Sequence, residues 1–406
     1  MTGQSPLRIL AITPYAPFPA FGGGKMRIYH LLTEWMRLGH QVELWVEPND
    51  EPALEWGSGD PAPAQRALPG RPRGSRLSKV QSLVSPLPEE PWTRPVRADV
   101  LAVESLDRFD VAVLMQAHVG RYAAPLARAG LPVVLDQQNV EAQIARDMAR
   151  MRPTRIGRIR SRLDEAKWRR FERALERRVQ LVGAVSEADA AEFRRLCPTA
   201  NVIVAPSGAD LRRLEFVDHA ANRGDQLIMT GTLGYHPNLD AAEWMIDRVL
   251  PLVREVRPAA HLLLVGSGVP PSLRDRAGGG VRLIERVPDI RPYLAESDLF
   301  VAPLRAGGGT RLKLLEAFAV GLPTVATTIA SFGLGVADGV EVATADDEDA
   351  FAASIVRLLD DTDARRAMAA AARAMVESRF DWRRIAADYE RALRAVAGRG
   401  AAKRGA

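Results

Sequence analysis

The densest group of residues that could do chemistry lies at positions 305–316, in the segment Arg-Ala-Gly-Gly-Gly-Thr-Arg-Leu-Lys-Leu-Leu-Glu. Its three glycines allow a sharp backbone turn and a close approach to a ligand. Thr310 is predicted to cap a helix whose first turn carries Arg311 and Lys313. Backbone N–H groups, the positive helix end and two cations then converge, which suits a phosphate or diphosphate. Glu316 lies deeper on the same helix, where its carboxylate could accept hydrogen bonds from sugar or ribose hydroxyls.

A plain connection between a strand and a helix explains this segment less well. Cations at a helix start oppose the helix macrodipole, so a purely structural role does not account for Arg311. A glycine-rich loop alone is a weak signal, since many such loops are only tight turns. The order of a buried strand at Leu299–Val301, three glycines, two cations and a helical glutamate is more specific. The sequence therefore predicts a phosphate-type site here.

The elements that must position this site repeat one pattern of strand, glycine loop and helix. In the first half of the chain, the apolar run Leu7–Thr13 precedes Gly22-Gly23-Gly24 and a helix with apolar residues at helical spacing. In the second half, Gln226–Thr230 precedes the loop 231–238 and another helix. Such units build doubly wound parallel sheets, and 406 residues suffice for two domains. The glycines lack the G-x-G-x-x-G spacing of a dinucleotide site.

Composition places the chain among soluble globular proteins, with 47% apolar and 26% charged residues. The single cysteine, Cys197, excludes an internal disulfide and favours a reducing compartment. We find no signal peptide at the N-terminus and no run of about 18 apolar residues. We therefore expect a cytoplasmic protein, with peripheral contact at the inner face of the membrane as an extension of that prediction.

A strongly basic segment spans positions 150–178 in a chain of net charge +5. One interpretation is a solvated helix face, partly neutralised by nearby acids. The other is a patch for anionic lipid headgroups or a lipid-diphosphate acceptor. No nucleic-acid-binding motif accompanies the patch, so we expect no nucleic-acid partner. Its basic residues are Arg150, Arg152, Arg155, Arg158, Arg160, Arg162, Lys167, Arg169, Arg170, Arg173, Arg177 and Arg178.

Polar residues follow two predicted strands of the first half. His118 comes directly after the strand Asp110–Met115, and ligands bind at such strand ends in doubly wound sheets. A surface loop histidine is the alternative. The segment from Asp136 to Glu141 follows the next strand, and its side chains suit a sugar hydroxyl or acceptor site. Asn139 or Asp136 could also cap the helix beginning near Val140.

The segment 299–327 resembles the C-terminal donor-binding motif of the group 1 (family 4) glycosyltransferases with the GT-B fold. It is closest to the branch that makes exopolysaccharide and cell-surface glycans. The resemblance implies two Rossmann-like domains facing across a cleft, a UDP- or GDP-linked sugar donor and a glycan or lipid-linked acceptor. It also implies retention of the anomeric configuration, with no cofactor and no obligatory metal. Family members often carry a second glutamate eight positions before Glu316, where this chain has Gly308; backbone N–H groups of the glycine loop are the candidate replacement.

The resemblance also implies roles for individual residues. Arg311 and Lys313 would act on the leaving diphosphate, since the loop after Thr230 lacks the cations that the wider family often has there. His118 would lie near the donor sugar, and Asn139 and Glu141 on the acceptor or sugar side. The donor-binding residues would be Gly23, Gly24, Gly231, Thr232, Gly308, Gly309, Thr310, Glu316 and, beside the nucleotide base, Ile290. For the glycines near position 23, a turn without a ligand is the alternative.

The predicted domains are an acceptor-side domain at 1–205, a linker at 206–225 and a donor-binding domain at 226–380. Positions 47–95 are interpreted as an irregular insertion with one short helix near 77–84. A last helix at 381–397 would cross back to the first domain. Asp361-Thr362-Asp363 resembles a metal-binding Asp-x-Asp motif, but at a junction of two helices we interpret it as a helix cap and assign no metal.

A retaining glycosyltransferase is the function that these features together predict. The first alternative is a nucleotide-sugar epimerase of the same fold, because fold alone does not determine chemistry. The second is a non-catalytic sugar-nucleotide-binding subunit of a surface-glycan assembly, which the missing glutamate at Gly308 leaves open.

Overall fold

The computed structural model describes residues 5–20, 22–47, 56–68, 87–88, 106–151, 154–219, 224–285, 287–306 and 311–404. The chain divides into two compact units, Met1–Pro206 with Ile385–Ala406, and Ser207–Arg384. Each unit is a parallel sheet with helices along the chain between its strands.

The sheet of the first unit has seven parallel strands among the described residues, in the order β3-β2-β1-β4-β5-β6-β7. The central strand Val111–Met115 is apolar along its whole length because helices cover both faces of such a sheet. The register aligns Ile9 with Val42 on one side and with Val111 on the other. The strands are β1 (Arg8–Thr13), β2 (Gln41–Val46), β3 (Ala64–Ala67), β4 (Val111–Met115), β5 (Val133–Gln137), β6 (Leu181–Ala184) and β7 (Val202–Val204).

Helices of the first unit follow its strands. The basic segment, predicted as one helix from near Val140, forms two helices, Glu141–Met151 and Arg155–Glu176, that pack against each other. Ser186 caps the helix after β6, as its sequence context predicts, because its hydroxyl accepts from the Asp189 N–H at 3.1 Å. The helices are α1 (Gly23–Arg37), α2 (Ala123–Arg128), α3 (Glu141–Met151), α4 (Arg155–Glu176) and α5 (Glu187–Leu196), with 3-10 turns at Leu106–Arg108 and Ala117–Tyr122.

The second unit repeats this architecture with six parallel strands among the described residues, in the order β10-β9-β8-β11-β12-β13. They are β8 (Gln226–Thr230), β9 (His261–Gly266), β10 (Val281–Glu285), β11 (Leu299–Ala302), β12 (Thr324–Ala326) and β13 (Ala343–Thr344). A π-helical turn at Met245–Val249 joins the first two helices. The helices are α6 (His236–Trp244), α7 (Leu250–Val256), α8 (Pro271–Arg274), α9 (Arg291–Ala295), α10 (Leu312–Ala319), α11 (Thr328–Ser331), α12 (Glu348–Asp360) and α13 (Thr362–Arg379). The last helix, α14 (Trp382–Arg404), belongs to the first unit from Ile385 onward.

The predicted α/β class with two doubly wound domains is confirmed by these two sheets. The interpretation of positions 47–95 as irregular missed β3, which pairs with β2 from Glu43 to Val46. This strand is short, polar and at the sheet edge, so it carries no apolar alternation to reveal it. The short helix expected at 77–84 lies outside the described residues. Asp361 caps α13 through the Ala364 N–H at 2.8 Å, as expected of a cap rather than a metal ligand.

Candidate functional site

The segment with the predicted phosphate site lies at the switch point of the second sheet. Strands β8 and β11 are neighbours, but β9 lies beyond β8 while β12 lies beyond β11. The loops after β8 and β11 therefore leave the sheet in opposite directions and open a crevice at their carboxyl ends, where doubly wound folds bind ligands. Helix α10, which follows β11, begins at this edge.

A short chain of hydrogen bonds joins α10, through the first turn of α6, to the loop after β8. The Lys313 ammonium donates to Asn238 Oδ1 at 2.7 Å, and Asn238 Nδ2 donates to the Thr232 carbonyl at 2.9 Å. Gly231 has a φ of 146°, and a Cβ at this position would lie 3.1 Å from Lys313 Nζ. A side chain there would therefore press on the lysine head, and glycine also accepts the positive φ without strain. The structure thus brings Gly231, Thr232 and Lys313 together, and their contact with a diphosphate stays a prediction.

Burial alters the ionisation of three side chains in this cluster. Desolvation lowers the pKa of Lys313 to about 8; Arg311 lowers it further and Glu316 opposes the shift. Desolvation raises the pKa of Glu316 to about 7, against the influence of Lys313. The pKa of Arg311 is also lowered, mainly by burial. Two cations are thus held where their charge is poorly solvated, and a bound dianion would offset that cost.

The N-cap of α10 lies one residue later in the chain than predicted. Helix α10 begins at Leu312, so Arg311 occupies the N-cap position, with φ of −83° and ψ of 63°, instead of the first turn. Its Nη2 donates to the Ile329 carbonyl at 3.2 Å. Gly308, Gly309 and Thr310 lie outside the described residues.

Ile290, expected near the nucleotide base, directly precedes α9 and is half-buried. It follows β10, the edge strand next to β9. Because the carboxyl ends of parallel strands meet at one edge of a sheet, Ile290 and Gly231 both follow strands at that same edge. Its role beside a base remains a prediction.

The first unit has a second group of polar side chains at its own switch point, between β1 and β4. Gln116 Nε2 donates to Tyr15 Oη at 2.5 Å, and Gln138 Nε2 donates to the Gly24 carbonyl at 3.2 Å. A Cβ on Gly24 would overlap Tyr15 Oη and Gln138 Oε1. Helix α1 begins at Gly23. The two glycines predicted to approach the donor therefore lie at the carboxyl edge of this sheet, surrounded by hydrogen-bonding groups.

Gln116 has a backbone conformation that non-glycine residues rarely adopt, with φ of 89° and ψ of 150°. Such strain is concentrated at functional sites, because it persists only where the surrounding structure holds it in place. His118 follows in the 3-10 turn after β4, and its half-buried ring meets the Trp168 ring edge-on at 5.4 Å. His118 thus lies at the strand end as predicted, in contact with α4.

The segment after β5 differs from its prediction in one respect. Neither Asp136 nor Asn139 provides the cap of α3 that we expected from one of them. The Glu172 carboxylate does so, accepting from the Glu141 N–H at 2.9 Å and the Ala142 N–H at 3.3 Å. Glu172 comes from α4, 31 positions further along the chain, so no local pattern predicted it.

Asp136 instead forms a buried ion pair with Arg27 of α1. Arg27 Nη2 and Nε donate to the two carboxylate oxygens at 2.6 and 2.8 Å. Arg27 Nη1 also donates to the Pro206 carbonyl at 3.0 Å. This two-point pairing holds α1 against β5, and Asp136 is therefore a structural residue. Asn139 and Glu141 are both half-buried at the carboxyl end of β5, where an acceptor role stays a prediction.

No group of three His, Cys, Asp or Glu residues that could hold a metal occurs in the described part of the chain. Within that same part, no helix is both long and apolar enough to cross a membrane.

Comparison with known families accounts for both halves of the chain. Residues 21–213 match the family model described as Glycosyltransferase Family 4, and residues 224–361 match the one described as Glycosyl transferases group 1. The chain belongs to the group 1, family 4 glycosyltransferases. The resemblance seen in the sequence is therefore confirmed.

Curated relatives of this family 4 chain include two bacterial mannosyltransferases. Phosphatidyl-myo-inositol mannosyltransferase of Mycolicibacterium smegmatis is 32% identical over 150 residues, which is 35% of this chain and 39% of the relative. A GDP-mannose-dependent monoacylated alpha-(1-6)-phosphatidylinositol monomannoside mannosyltransferase of Corynebacterium glutamicum is 34% identical over 152 residues, 33% of this chain and 39% of the relative. The aligned part thus spans about two fifths of each of these relatives.

Among solved structures, the chain is similar to HepE of Anabaena in complex with UDP and glucose. The TM-score is 0.66 at 16% identity, and the match covers 96% of this chain and 100% of HepE. At that identity the likeness shows the GT-B fold with its two Rossmann-like domains, and the site residues of this family 4 chain rest on its own geometry.

Sequence reasoning missed three residues of these groups. Asn238 was visible only as a polar residue in the loop after β8, and nothing in the sequence linked it to Lys313, 75 positions away. Tyr15 and Gln116 belong to no recognisable sequence motif. The positive φ of Gln116 could not be predicted from the sequence, because the residue is not a glycine. These residues became apparent only when the sheet brought separate loops to one edge.

Proposed function

We propose that the chain is a retaining glycosyltransferase that moves a sugar from a nucleotide-diphospho-sugar to a glycan or lipid-linked acceptor in surface polysaccharide biosynthesis. The observation that carries the proposal is the cluster of Arg311, Lys313 and Glu316 at the switch point of the second sheet. Its two cations have pKa values lowered mainly by burial. A pre-placed, poorly solvated cation is worth most where negative charge develops during a reaction.

The proposed step divides the work between these side chains. The acceptor hydroxyl forms a bond to the anomeric carbon as the bond from that carbon to the diphosphate breaks, and the hydroxyl proton passes to an oxygen of the departing diphosphate. Arg311 and Lys313 stabilise the charge that grows on the departing diphosphate. Glu316 accepts hydrogen bonds from ribose hydroxyls. Burial raises its pKa to about 7, so the accepting carboxylate form predominates above neutral pH. No protein nucleophile is required when the acceptor attacks from the leaving-group face.

Thr232 is proposed to add a backbone donor to the diphosphate, together with Gly308, Gly309 and Thr310. Gly231, whose own N–H donates to the Val265 carbonyl at 3.1 Å, is proposed to let the backbone approach the diphosphate closely. Gly23 and Gly24 are proposed to approach the donor phosphates from the first domain. His118 would lie near the donor sugar, and Ile290 beside the base. Asn139 and Glu141 would face the acceptor.

The names of the relatives suggest which donors to test first. The Corynebacterium relative is called GDP-mannose-dependent, and HepE was solved with UDP and glucose. GDP-mannose and UDP-glucose are therefore the first candidates. Thermal shift with UDP and GDP should identify the nucleotide, because a ligand that binds only the folded protein raises its melting temperature.

Transfer is then measured with the stabilising donor and lipid-linked sugars as acceptors. Sugar incorporated into the acceptor supports the proposal. Conversion of the donor sugar without any acceptor would identify an epimerase. Nucleotide-sugar binding with neither reaction, across donors and acceptors, would identify a binding subunit.

We also propose that the chain contacts anionic membrane peripherally through the basic segment at 150–178. Helix α4 carries exposed cations at Arg155, Arg158 and Arg162, which agrees with attraction to anionic headgroups. Flotation with anionic vesicles should fall steeply with salt, because ions screen exposed charges. Absence of binding at low salt would show that this segment is only a solvated helix face.

A further inference from the structure

The first half of α4 exposes an apolar stripe on the side opposite its packed face. Ile156, Ile159 and Leu163 are 82%, 59% and 50% exposed. Ser161 is buried, and with about 100° per residue Ile159 and Leu163 each lie about 200° around the helix from it. These side chains therefore point away from the first unit. Burying this stripe in the first unit would require a different helix rotation.

A cavity of about 280 Å³ lies beside this stripe, between α3 and α4. Arg146 and Ala149 of α3 line one side, and Arg158, Arg162 and Glu165 of α4 line the other. Arg158 and Arg162 each precede a residue of the apolar stripe by one position. The cavity thus lies on the flank of α4 between its buried face and its exposed apolar face.

Positive charge in this cavity is not balanced by the protein. Arg146 pairs with Glu192 at 3.2 Å, and Glu165 pairs with Arg169 at 3.8 Å. Neither Arg158 nor Arg162 has an ion-pair partner within the part of the chain that the structure describes. The one carboxylate in the lining is shared with an arginine outside it, so an anion entering the cavity would meet a net positive surface.

We propose that this cavity binds the phosphate group of a lipid headgroup, preferably a phosphomonoester carrying two charges. Guanidinium groups present planar pairs of donors that match phosphate oxygens, and several of them together suit a dianion better than a single negative charge. The cavity is several times the ~30 Å³ share of one water molecule, which leaves room for a phosphate and the atoms bonded to it. The inference rests on the proposed membrane contact only for the source of the phosphate.

The position of the cavity explains why a lipid is the preferred source. Helices that lie in the membrane interface bury an apolar face among the acyl chains and keep basic residues at headgroup depth. With Ile156, Ile159 and Leu163 entering the acyl boundary, Arg158 and Arg162 would lie at the level of the lipid phosphates. A soluble phosphate would bind in the cavity without any contribution from the apolar stripe, whereas a lipid would use both.

The first test compares two lipids at equal surface charge. The full-length protein is floated with phosphatidylcholine vesicles that contain either phosphatidic acid, a phosphomonoester, or phosphatidylglycerol, a phosphodiester, matched by zeta potential. We expect the wild type to bind phosphatidic acid vesicles at least tenfold more tightly. The double variant Arg158→Gln/Arg162→Gln should lose this preference and bind both vesicles equally.

The matched control is Arg155→Gln/Arg170→Gln, which removes the same charge from exposed positions of α4 outside the cavity. It should weaken binding to both vesicles to a similar degree and keep the preference for phosphatidic acid. If the cavity variant and the control behave alike, the arginines act only as general charge and the site is refuted. Circular dichroism and melting temperature establish that both variants are folded.

A second pair of measurements separates the source of the phosphate. Calorimetry with dihexanoyl phosphatidic acid, below its micelle concentration, and with inorganic phosphate reports on the cavity without a bilayer. The variant Ile156→Ser/Ile159→Ser/Leu163→Ser should lose vesicle binding at least tenfold and retain binding of the short lipid. Binding of inorganic phosphate as tight as that of the short lipid would overturn the lipid assignment.

Nucleotide thermal shift provides the remaining control. The cavity variant should keep its stabilisation by UDP or GDP, since Arg158 and Arg162 lie in the first unit and Lys313 in the second. Loss of lipid preference with nucleotide binding intact therefore concerns this site alone. Failure of sugar transfer in the wild type would refute the proposed function without affecting the lipid result.

Discussion

The lowered pKa of Lys313 makes a quantitative prediction about nucleotide binding. The shift from 10.5 to about 8 corresponds to about 3 kcal/mol of disfavoured charge in the empty site, at about 1.4 kcal/mol per unit. A bound diphosphate favours the ammonium form and recovers part of that free energy. Nucleotide affinity should therefore fall as pH rises through about 8, and should be about tenfold weaker at pH 9 than at pH 7.

The sign follows from linkage. Above pH 8 the free protein has mostly lost this proton and must take it up again on binding. At pH 8 we expect uptake of about half a proton per nucleotide. The terminal phosphate has a pKa near 6, and Glu316, whose pKa is about 7, is mostly deprotonated above pH 8, so the change between pH 8 and 9 reports on Lys313. In the absence of ligand, the contribution of Lys313 to the free energy of unfolding rises between about pH 8 and 10.5, because the unfolded chain binds the proton more tightly.

Calorimetry in buffers of different ionisation enthalpy measures both the affinity and the proton uptake. Lys313→Arg should bind with little dependence on pH between 7 and 9, because arginine stays charged. Lys313→Ala should bind weakly at every pH, while Lys167→Ala, a lysine in the first unit, should reproduce the wild type. A flat wild-type profile, or the same slope in Lys313→Ala, would refute the assignment of this lysine to the diphosphate.

Three further predictions concern the site and its support. Arg311→Ala should lower kcat by roughly a hundredfold, on the order of 3 kcal/mol, with the melting temperature unchanged, since its charge acts mostly on the leaving group. Glu316→Ala should instead raise KM for the donor, because a ribose contact serves the ground and transition states alike. The reverse pattern in steady-state kinetics would exchange the roles of these two residues. Transfer should survive EDTA, and complete loss of activity that manganese restores would show that a metal is needed. Glu172→Ala should lower the free energy of unfolding by about 1–2 kcal/mol in urea, because it removes the cap of α3, whereas the exposed Glu187→Ala is the control; equal effects would argue against the cap. Burial raises the pKa of Glu172 to about 8, so its contribution to stability is present below pH 4.5 and is lost as pH rises through 8.

Local patterns predicted a large part of this molecule. The apolar runs at β1, β8 and β11 identified their strands, because strands covered on both faces have no solvent side to interrupt them. Glycine loops followed by helical spacing identified the units that build the two sheets. The segment with Arg311, Lys313 and Glu316 could be recognised as the candidate donor site, because its glycines, cations and carboxylate are adjacent along the chain.

Features that depend on distant parts of the chain became visible only in the tertiary structure. Asn238 holds Lys313 from the first turn of α6, and Glu172 caps a helix from 31 positions away. Asp136 resembled a polar site residue in the sequence, yet a buried arginine from α1 pairs with it. The run of cations in α4 was evident in the sequence, but the side of the helix that faces the core was not.

The physical reason lies in the range of each interaction. Strand formation, helix capping by neighbours and turn geometry depend on residues a few positions apart, so the sequence by itself determined the two doubly wound domains and the phosphate-type motif. The pKa values of Lys313 and Glu316, the strained backbone of Gln116 and the cavity beside Arg158 depend on which distant groups exclude water or fill space. Only the packing of the folded chain decided those.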